Sequence, residues 1–277
     1  MPSLIDTHLH CSELPEDGLD TYAKFNGLKY TLEELLSLMK EHGVEKGLLL
    51  SPPTKKGAPV PNARILELCA KSEGLLHPVL TVEPTLRDVE RAVSLAKKNK
   101  DQVRAFKIRL GYVEVFAHDR VFKKLYDYAE KQDLPALFHT GDTATPNGSL
   151  VHSHPLTLDA LSNMRPGLKV VICHFGNPWI SDVGELLYKH ANVYADVSGL
   201  MAGNGGTYSS RYMDSLAAKI SDAIYFTGGA DKILFGTDYP IETFGDGIAL
   251  VNRLHIDESD KQKIFHDNSK RLFFSDA

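Results

Sequence analysis

The sequence predicts an α/β fold in which eight short apolar strands alternate with amphipathic helices along 277 residues. Strand-like and helix-like segments alternate from end to end, which is typical of a parallel sheet with crossover helices. Connections from helix to strand are short, whereas those from strand to helix are longer and rich in Gly, Pro and polar residues. A (β/α)8 barrel with one elaborated face satisfies both observations. We expect residues 1–277 to form a single domain.

The candidate strands are short apolar runs, most of which end beside a polar residue or a glycine. They cover residues 4–10, 47–51, 76–82, 105–110, 136–140, 170–174, 193–198 and 233–236. Between them, apolar side chains recur with helical spacing at 31–39, 61–72, 85–98, 119–132, 155–164, 181–190, 211–226 and 259–274. In the first of these helices Thr31 and Glu34 are spaced as a capping box, and Gly43 is a plausible stop.

Composition narrows the kinds of partner. The net charge of −5 and the isoelectric point near 6.2 argue against nucleic acid or an anionic membrane surface as partner. Cys11, Cys69 and Cys173 are an odd number without CxxC spacing, and no leader-like or membrane-spanning run is visible, so we expect a reduced, cytoplasmic protein. A small-molecule substrate is the expected partner. A homo-oligomer is left open.

Five residues with metal-ligand chemistry occupy equivalent positions along the chain. His8 and His10 are one residue apart in the first strand, so their side chains project from the same face. His139, His174 and Asp238 each follow a later strand-like run. Because the carboxyl ends of the strands meet at one face of a parallel barrel, these five side chains are predicted to form one site.

Three charged residues are predicted to point into the barrel. Asp6 shares a face with the histidines and is expected either to orient a ligand histidine or to be a satisfied structural carboxylate. Lys107 and Arg109 alternate with apolar residues that would contact the helices. They are predicted to bind a substrate carboxylate, and the alternative is internal pairing with Asp6, Asp142 or Asp196.

Five motifs together resemble the amidohydrolase superfamily, specifically its aminocarboxymuconate-semialdehyde-decarboxylase-like (amidohydrolase 2) branch. They are Ile-Asp-Thr-His-Leu-His at 5–10, Ala-Leu-Phe-His-Thr-Gly at 136–141, Val-Val-Ile-Cys-His-Phe-Gly at 170–176, Ile-Leu-Phe-Gly-Thr-Asp-Tyr-Pro at 233–240 and the closing run 264–273. The resemblance implies a distorted (β/α)8 TIM barrel with one divalent metal, expected to be zinc, held by His8, His10, His139 and Asp238. It also implies that His174 polarises substrate or moves protons, and that Asp238 is both ligand and general base.

The resemblance leaves the number of metals and the reaction open. In two-metal members a fourth-strand lysine is carboxylated, which would make Lys107 a bridging ligand and His174 a ligand of the second metal. The first functional hypothesis is a metal-dependent hydrolase of a small, carboxylate-bearing amide, ester or lactone that uses metal-activated water. The alternative is non-oxidative decarboxylation of a small organic acid. A metal-independent lactonase and a non-catalytic metal-binding protein are the remaining hypotheses.

Weaker features are placed outside the predicted site. The second His-x-His pair, His152 and His154, falls in a polar loop and is expected at the surface. Residues 203–206, Gly-Asn-Gly-Gly, are expected to form a flap over the pocket, because they lack the context of a phosphate loop. Trp179 either walls the pocket or packs elsewhere.

Overall fold

Eight parallel strands form one sheet in which each strand pairs with the next along the chain. The strands are β1 Leu4–His10, β2 Val44–Leu50, β3 Leu76–Thr81, β4 Ala105–Ile108, β5 Ala136–Phe138, β6 Val170–Ile172, β7 Val193–Asp196 and β8 Ile233–Leu234. The computed structural model describes residues 3–201 and 210–275 of the chain.

The sheet curls until the chain that follows β8 meets β1. The Thr7 amide donates to the Phe235 carbonyl (2.9 Å), the Asp238 amide donates to the His8 carbonyl (2.8 Å), and the His10 amide donates to the carbonyl of the residue after Asp238 (2.8 Å). These bonds close the barrel, so the predicted (β/α)8 fold is confirmed. They also fix Asp238 beside the two histidines of β1 through the backbone alone.

Helices follow the strands around the outside of the barrel. They are α1 Asp20–Phe25, α2 Leu32–His42, α3 Asn62–Lys71, α4 Leu86–Lys98, α5 Lys123–Lys131, α6 Leu150–Ser153, α7 Thr157–Met164, α8 Ile180–Lys189, α9 Ser210–Thr227, α10 Phe244–Asn252, α11 Glu258–Gln262 and α12 Asn268–Phe273. None of these helices in the described ranges is long and apolar enough to cross a membrane.

Alternation along the strands divides the apolar core into two layers. Outward-facing residues such as Phe106 and Ile108 of β4 pack with the helices. A smaller cluster combines Leu48, Leu50, Val79, Ala105, Leu137, Val171, Cys173 and Leu234 with Leu272 and Phe273 of α12. These strand residues alternate with the outward ones, so they fill the barrel interior below the carboxyl ends of the strands.

Several element boundaries differ from the prediction. β2 begins at Val44 and not at residue 47, because Gly43 alone, at φ 72°, makes the turn from α2. The predicted helix 259–274 is interrupted by a π-helical turn, Lys263–Asp267, in which the Ile264 carbonyl accepts a bond from the Phe235 amide at the end of β8. The helix at 119–132 begins with a 3-10 turn, Arg120–Phe122, before α5.

Candidate active site and metal centre

Three of the five predicted residues meet at the carboxyl end of the barrel. His10 Nε2 lies 3.0 Å from Asp238 Oδ1, and His8 Nε2 lies 3.5 Å from the same oxygen. All three side chains are buried. Ligand atoms of His8, His10 and Asp238 all lie within 4.8 Å of one another, so the three residues could hold a metal ion.

The second nitrogen of each β1 histidine is engaged by an oxygen acceptor. His10 Nδ1 lies 3.0 Å from the Leu50 carbonyl, which can only accept, so this nitrogen carries the proton. His8 Nδ1 lies 3.2 Å from Asp196 Oδ2. Each Nε2 therefore presents a lone pair towards the carboxylate of Asp238. Two lone pairs facing a carboxylate repel it unless a cation lies between them, so this donor set fits a divalent metal.

Charge on these groups favours the same interpretation. Burial, followed by the positive charge of Lys107, lowers the pKa of His8 to about 4, so the imidazole is neutral near pH 7. Burial alone would raise the pKa of Asp238, but the neighbouring histidines His8, His10 and His174 outweigh it and hold that pKa below its usual range. Neutral imidazoles and an ionised carboxylate are the protonation states that metal ligands require.

His174 lies beside this group, on a left-handed turn directly after β6. Its φ is 61° and that of Phe175 is 44°, and Asp238 after β8 is also left-handed at φ 59°. His174 Nδ1 lies 3.8 Å from Asp238 Oδ2 and 3.1 Å from the Ser198 carbonyl. Left-handed backbone at non-glycine residues is costly and concentrates at functional sites. Here it turns both side chains from the strand ends towards the centre of the barrel.

Asp196, at the end of β7, organises the site and was not predicted to do so. Its Oδ1 accepts bonds from the His174 amide (2.8 Å), the Ser198 amide (3.1 Å) and Ser198 Oγ (2.5 Å), while Oδ2 faces His8. Burial alone would raise the pKa of Asp196, but its contacts with His8, His174 and Ser198 lower it, so the carboxylate is ionised. The signal available in the sequence was Asp196-Val-Ser198 closing an apolar strand.

His139 lies near the centre, but it is not one of the three residues whose ligand atoms converge there. Its ring centroid is 4.8 Å from that of His174, and its Nε2 lies 2.9 Å from the Asp142 carbonyl. Because a carbonyl only accepts, Nε2 carries the proton and Nδ1 has the lone pair. The ring of Tyr112 packs against His139 at 4.7 Å. Its role as the fourth ligand stays a prediction.

Lys107 and Arg109 do not line the cavity above the centre. Lys107 is buried inside the barrel, where Nζ lies 2.8 Å from Cys173 Sγ. Arg109 donates to the Gly57 carbonyl (2.8 Å) and pairs with Glu83 (3.0 Å). In the described part of the chain neither forms an ion pair with Asp6, Asp142 or Asp196. Those predicted internal partners are therefore wrong, and substrate binding by the two cations stays a prediction.

Asp6 supports the backbone of the site and touches no histidine ring. Its Oδ1 accepts the His8 amide (2.9 Å) and the Thr237 amide (3.3 Å), and its Oδ2 accepts Thr237 Oγ1 (2.7 Å). Asp6 thus ties β1 to the segment that carries Asp238. Of the two alternatives predicted for Asp6, the structure fits the satisfied structural carboxylate, because the carboxylate beside the His8 ring is that of Asp196.

A cavity of about 340 Å³ opens above Asp238 and His174. Its lining includes three tyrosines and two polar residues that sequence reasoning did not select as site residues: Tyr22, Tyr112, Tyr212, Asp142 and Asn177. Trp179 does not line it and packs instead on His154, with ring centroids 4.4 Å apart. The predicted flap at 203–206 lies outside the described residues.

Part of the chain is similar to a curated protein. A curated relative, gamma-resorcylate decarboxylase from Polaromonas sp. (strain JS666 / ATCC BAA-500), is 26% identical over 137 residues. The match covers 44% of this chain and 39% of that relative.

Solved structures with under 25% identity share the fold over nearly the full length. An uncharacterised TIM-barrel protein from Bordetella bronchiseptica has a TM-score of 0.76 at 21% identity and covers 98% of both chains. A dihydroxybenzoic acid decarboxylase from Polaromonas sp. JS666, solved with bound manganese, has a TM-score of 0.69 at 16% identity and covers 99% of this chain and 97% of its own. A probable 2-pyrone-4,6-dicarboxylic acid hydrolase from Acinetobacter baumannii has a TM-score of 0.69 at 18% identity, covering 98% and 99%.

The family itself follows from the sequence as a whole. A family model described as amidohydrolase matches residues 5–274, which include nearly all of the strand residues and every residue of the candidate centre. The resemblance carried by the five motifs is therefore confirmed. This chain is a member of the amidohydrolase family.

Proposed function

We propose that this protein is a metal-dependent decarboxylase of a small organic acid that carries one carboxylate. The observation that carries the proposal is the convergence of His8, His10 and Asp238, whose free lone pairs face one another without a proton between them. These residues, with His139 as the expected fourth ligand, would hold the cation. Zinc is the expected ion, and the manganese of the decarboxylase neighbour makes manganese the first alternative.

The cavity favours decarboxylation over hydrolysis of an acid. Its described lining contains no lysine or arginine, so a substrate carboxylate has no ion-pair partner there except the metal. In decarboxylation the carboxylate that binds the metal is the group that leaves. Hydrolysis of a carboxylate-bearing substrate would need a second site for that anion.

The cation would supply electrostatic stabilisation for the negative charge that develops on the substrate as carbon dioxide leaves. His174 lines the cavity and is suited to carry the proton that must then reach carbon. Burial lowers the pKa of His174, so its protonated form would release a proton readily. Asp196 and Ser198 fix the ring and main chain of His174.

Hydrolysis of a neutral amide, ester or lactone is the second candidate. The ionised carboxylate of Asp238, with Oδ2 directed to the His174 side of the centre, could accept a proton from an attacking water. A neutral substrate would also need no cation in the cavity.

The two candidates separate in one assay of the metal-loaded protein. Hydroxylated aromatic and short aliphatic monocarboxylic acids are incubated with the enzyme while carbon dioxide release is measured. In parallel, lactones, esters and amides are followed by acid production. We expect carbon dioxide release that is lost on chelation and in His10→Ala. Acid production without carbon dioxide would support the hydrolase, and neither product from protein with bound metal would contradict both candidates.

A further inference from the structure

The cavity above the candidate metal centre is lined by hydrogen-bonding groups and carboxylates. The neutral groups come from Asn177 and from three tyrosines, Tyr22, Tyr112 and Tyr212. The carboxylates are those of Asp142 and Asp238. The described lining includes no lysine or arginine.

Cations near the lining residues in the sequence do not line the cavity, and Lys24, two residues after Tyr22, is exposed. Lys107 is held beneath the site by Cys173, and Arg109 is held by Glu83 and the Gly57 carbonyl. Arg211 precedes the lining residue Tyr212 but is exposed and does not line the cavity. Residues 202–209 include no Lys, Arg or His in their sequence. The lack of a lining cation therefore does not depend on where that segment lies.

Asp142 is an exposed residue that lines the cavity, and its backbone is held at two points. Its amide donates to the Asn177 carbonyl (2.9 Å), and its carbonyl accepts from His139 Nε2 (2.9 Å). Two other lining residues thus hold its main chain. In residues 3–201 and 210–275 its carboxylate has no hydrogen bond or salt bridge. Burial raises the pKa of Tyr112, and among the smaller contributions that of Asp142 follows those of Asp238 and Tyr22. This side chain is available to a ligand.

We propose that Asp142 determines substrate specificity by charge. One end of the substrate is a carboxylate that binds the metal centre, and the other end presents an O–H or N–H donor to the carboxylate of Asp142. A second carboxylate at that end is rejected, because it would meet Asp142 without a cation to compensate. This inference rests on the proposed function for the metal-bound end of the substrate and adds the residue that selects the other end.

Like charges a few ångströms apart in a partly solvated cavity repel enough to weaken binding by about tenfold. A donor at the same position gains a charge-assisted hydrogen bond instead. The discrimination should therefore be at least tenfold between two ligands that differ only in this group.

Matched aromatic acids test the proposal without requiring turnover. The probes are 3-hydroxybenzoate and benzene-1,3-dicarboxylate, which share the ring and one carboxylate. Binding to the zinc-loaded protein is measured by calorimetry and by fluorescence of Trp179, the single tryptophan, which lies two residues from Asn177. Asp142→Asn keeps both backbone bonds and removes the charge. The control is Asp222→Asn, the same substitution at an exposed position of α9 outside the lining.

We expect the unmodified protein and Asp222→Asn to bind 3-hydroxybenzoate at least tenfold more tightly than the dicarboxylate. Asp142→Asn should reduce that ratio to about twofold, mainly by binding the dicarboxylate more tightly. An unchanged ratio in Asp142→Asn, or equal binding of both acids by the unmodified protein, would overturn the role of Asp142.

Repeating the titrations after chelation separates this inference from the proposed function. Loss of binding of both acids on metal removal would support the metal-bound carboxylate whatever the ratio. Equal binding with and without metal would contradict the proposed function. The ratio of the two affinities would still test the role of Asp142. Failure of both acids to bind the zinc-loaded protein would overturn both.

Discussion

Replacing Asp196 with asparagine tests how the protein sets the protonation state of His8, a candidate metal ligand. Asp196 accepts four hydrogen bonds: Oδ2 faces His8 Nδ1, and Oδ1 takes the His174 amide and both donors of Ser198. The side chain of the Asp196→Asn variant would have one acceptor oxygen and one donor nitrogen. It could therefore accept hydrogen bonds in place of one carboxylate oxygen, but its nitrogen would face hydrogen-bond donors in place of the other.

Either orientation of the new amide has a measurable cost. If its oxygen takes the place of Oδ1, its nitrogen faces His8 and forces the imidazole proton to Nε2, where the metal would bind. Loss of such an orienting partner weakens metal binding about 10- to 100-fold, or roughly 1.4 to 2.7 kcal/mol. In the other orientation three buried donors lose their acceptor, which lowers the free energy of unfolding by about 1 to 3 kcal/mol.

The assay is a competition titration of zinc against a chelating dye, paired with urea unfolding of the metal-free protein. Asp196→Asn should lose metal affinity, stability or both by these amounts, and Asp222→Asn at the exposed surface should lose neither. Zinc affinity within twofold of the unmodified protein, together with unchanged unfolding, would refute the proposed control of the His8 tautomer by Asp196.

Three further substitutions probe the same centre. Gly199→Ala should lower turnover at least tenfold and the unfolding free energy by about 1 to 2 kcal/mol. The reason is that Gly199 has φ 65° and that a Cβ there would lie 2.8 Å from both Asp238 Oδ2 and His174 Nδ1. Unchanged kinetics and stability would contradict this packing. Asp238→Asn should reduce turnover at least 100-fold while some metal stays bound, and near-normal turnover would contradict a role for the Asp238 carboxylate in either candidate reaction. Burial raises the pKa of Asp6 to about 7, so its ionisation costs the folded state progressively between pH 4 and 7. Over that range the unfolding free energy of the unmodified protein should fall relative to Asp6→Asn by about 4 kcal/mol, and parallel pH profiles would show that Asp6 is not shifted.

Periodicity was sufficient to predict the barrel because each buried strand is a short apolar run that ends at a polar residue. It failed where backbone geometry departs from the regular elements. The helix α10, Phe244–Asn252, was missed because Gly245 and Gly247 weaken its helical pattern. Its capping box of Thr243 and Asp246 was the signal that could have revealed it.

The convergence of His8, His10 and Asp238 was predictable, but the residues that support them were not. His8 and His10 follow from two-residue alternation in one strand. Asp196 could not be assigned because its role depends on a contact with His8, 188 residues away. The direction of Lys107 followed from alternation, but its partner Cys173 lies on another strand end and depends on barrel register. Likewise, only the folded loops bring Tyr112 and Asp142 to the cavity.

The most direct test of the metal centre is elemental analysis of the purified protein with its intact mass, alongside His8→Ala prepared in the same way. The geometry predicts about one divalent metal per chain, an unmodified mass, and loss of the metal in a folded His8→Ala protein. About two metals with a mass increase of one carboxylate would contradict the single site in favour of a carboxylated Lys107. Full metal occupancy in His8→Ala, or none in the unmodified protein after incubation with zinc or manganese, would contradict the ligand assignment itself.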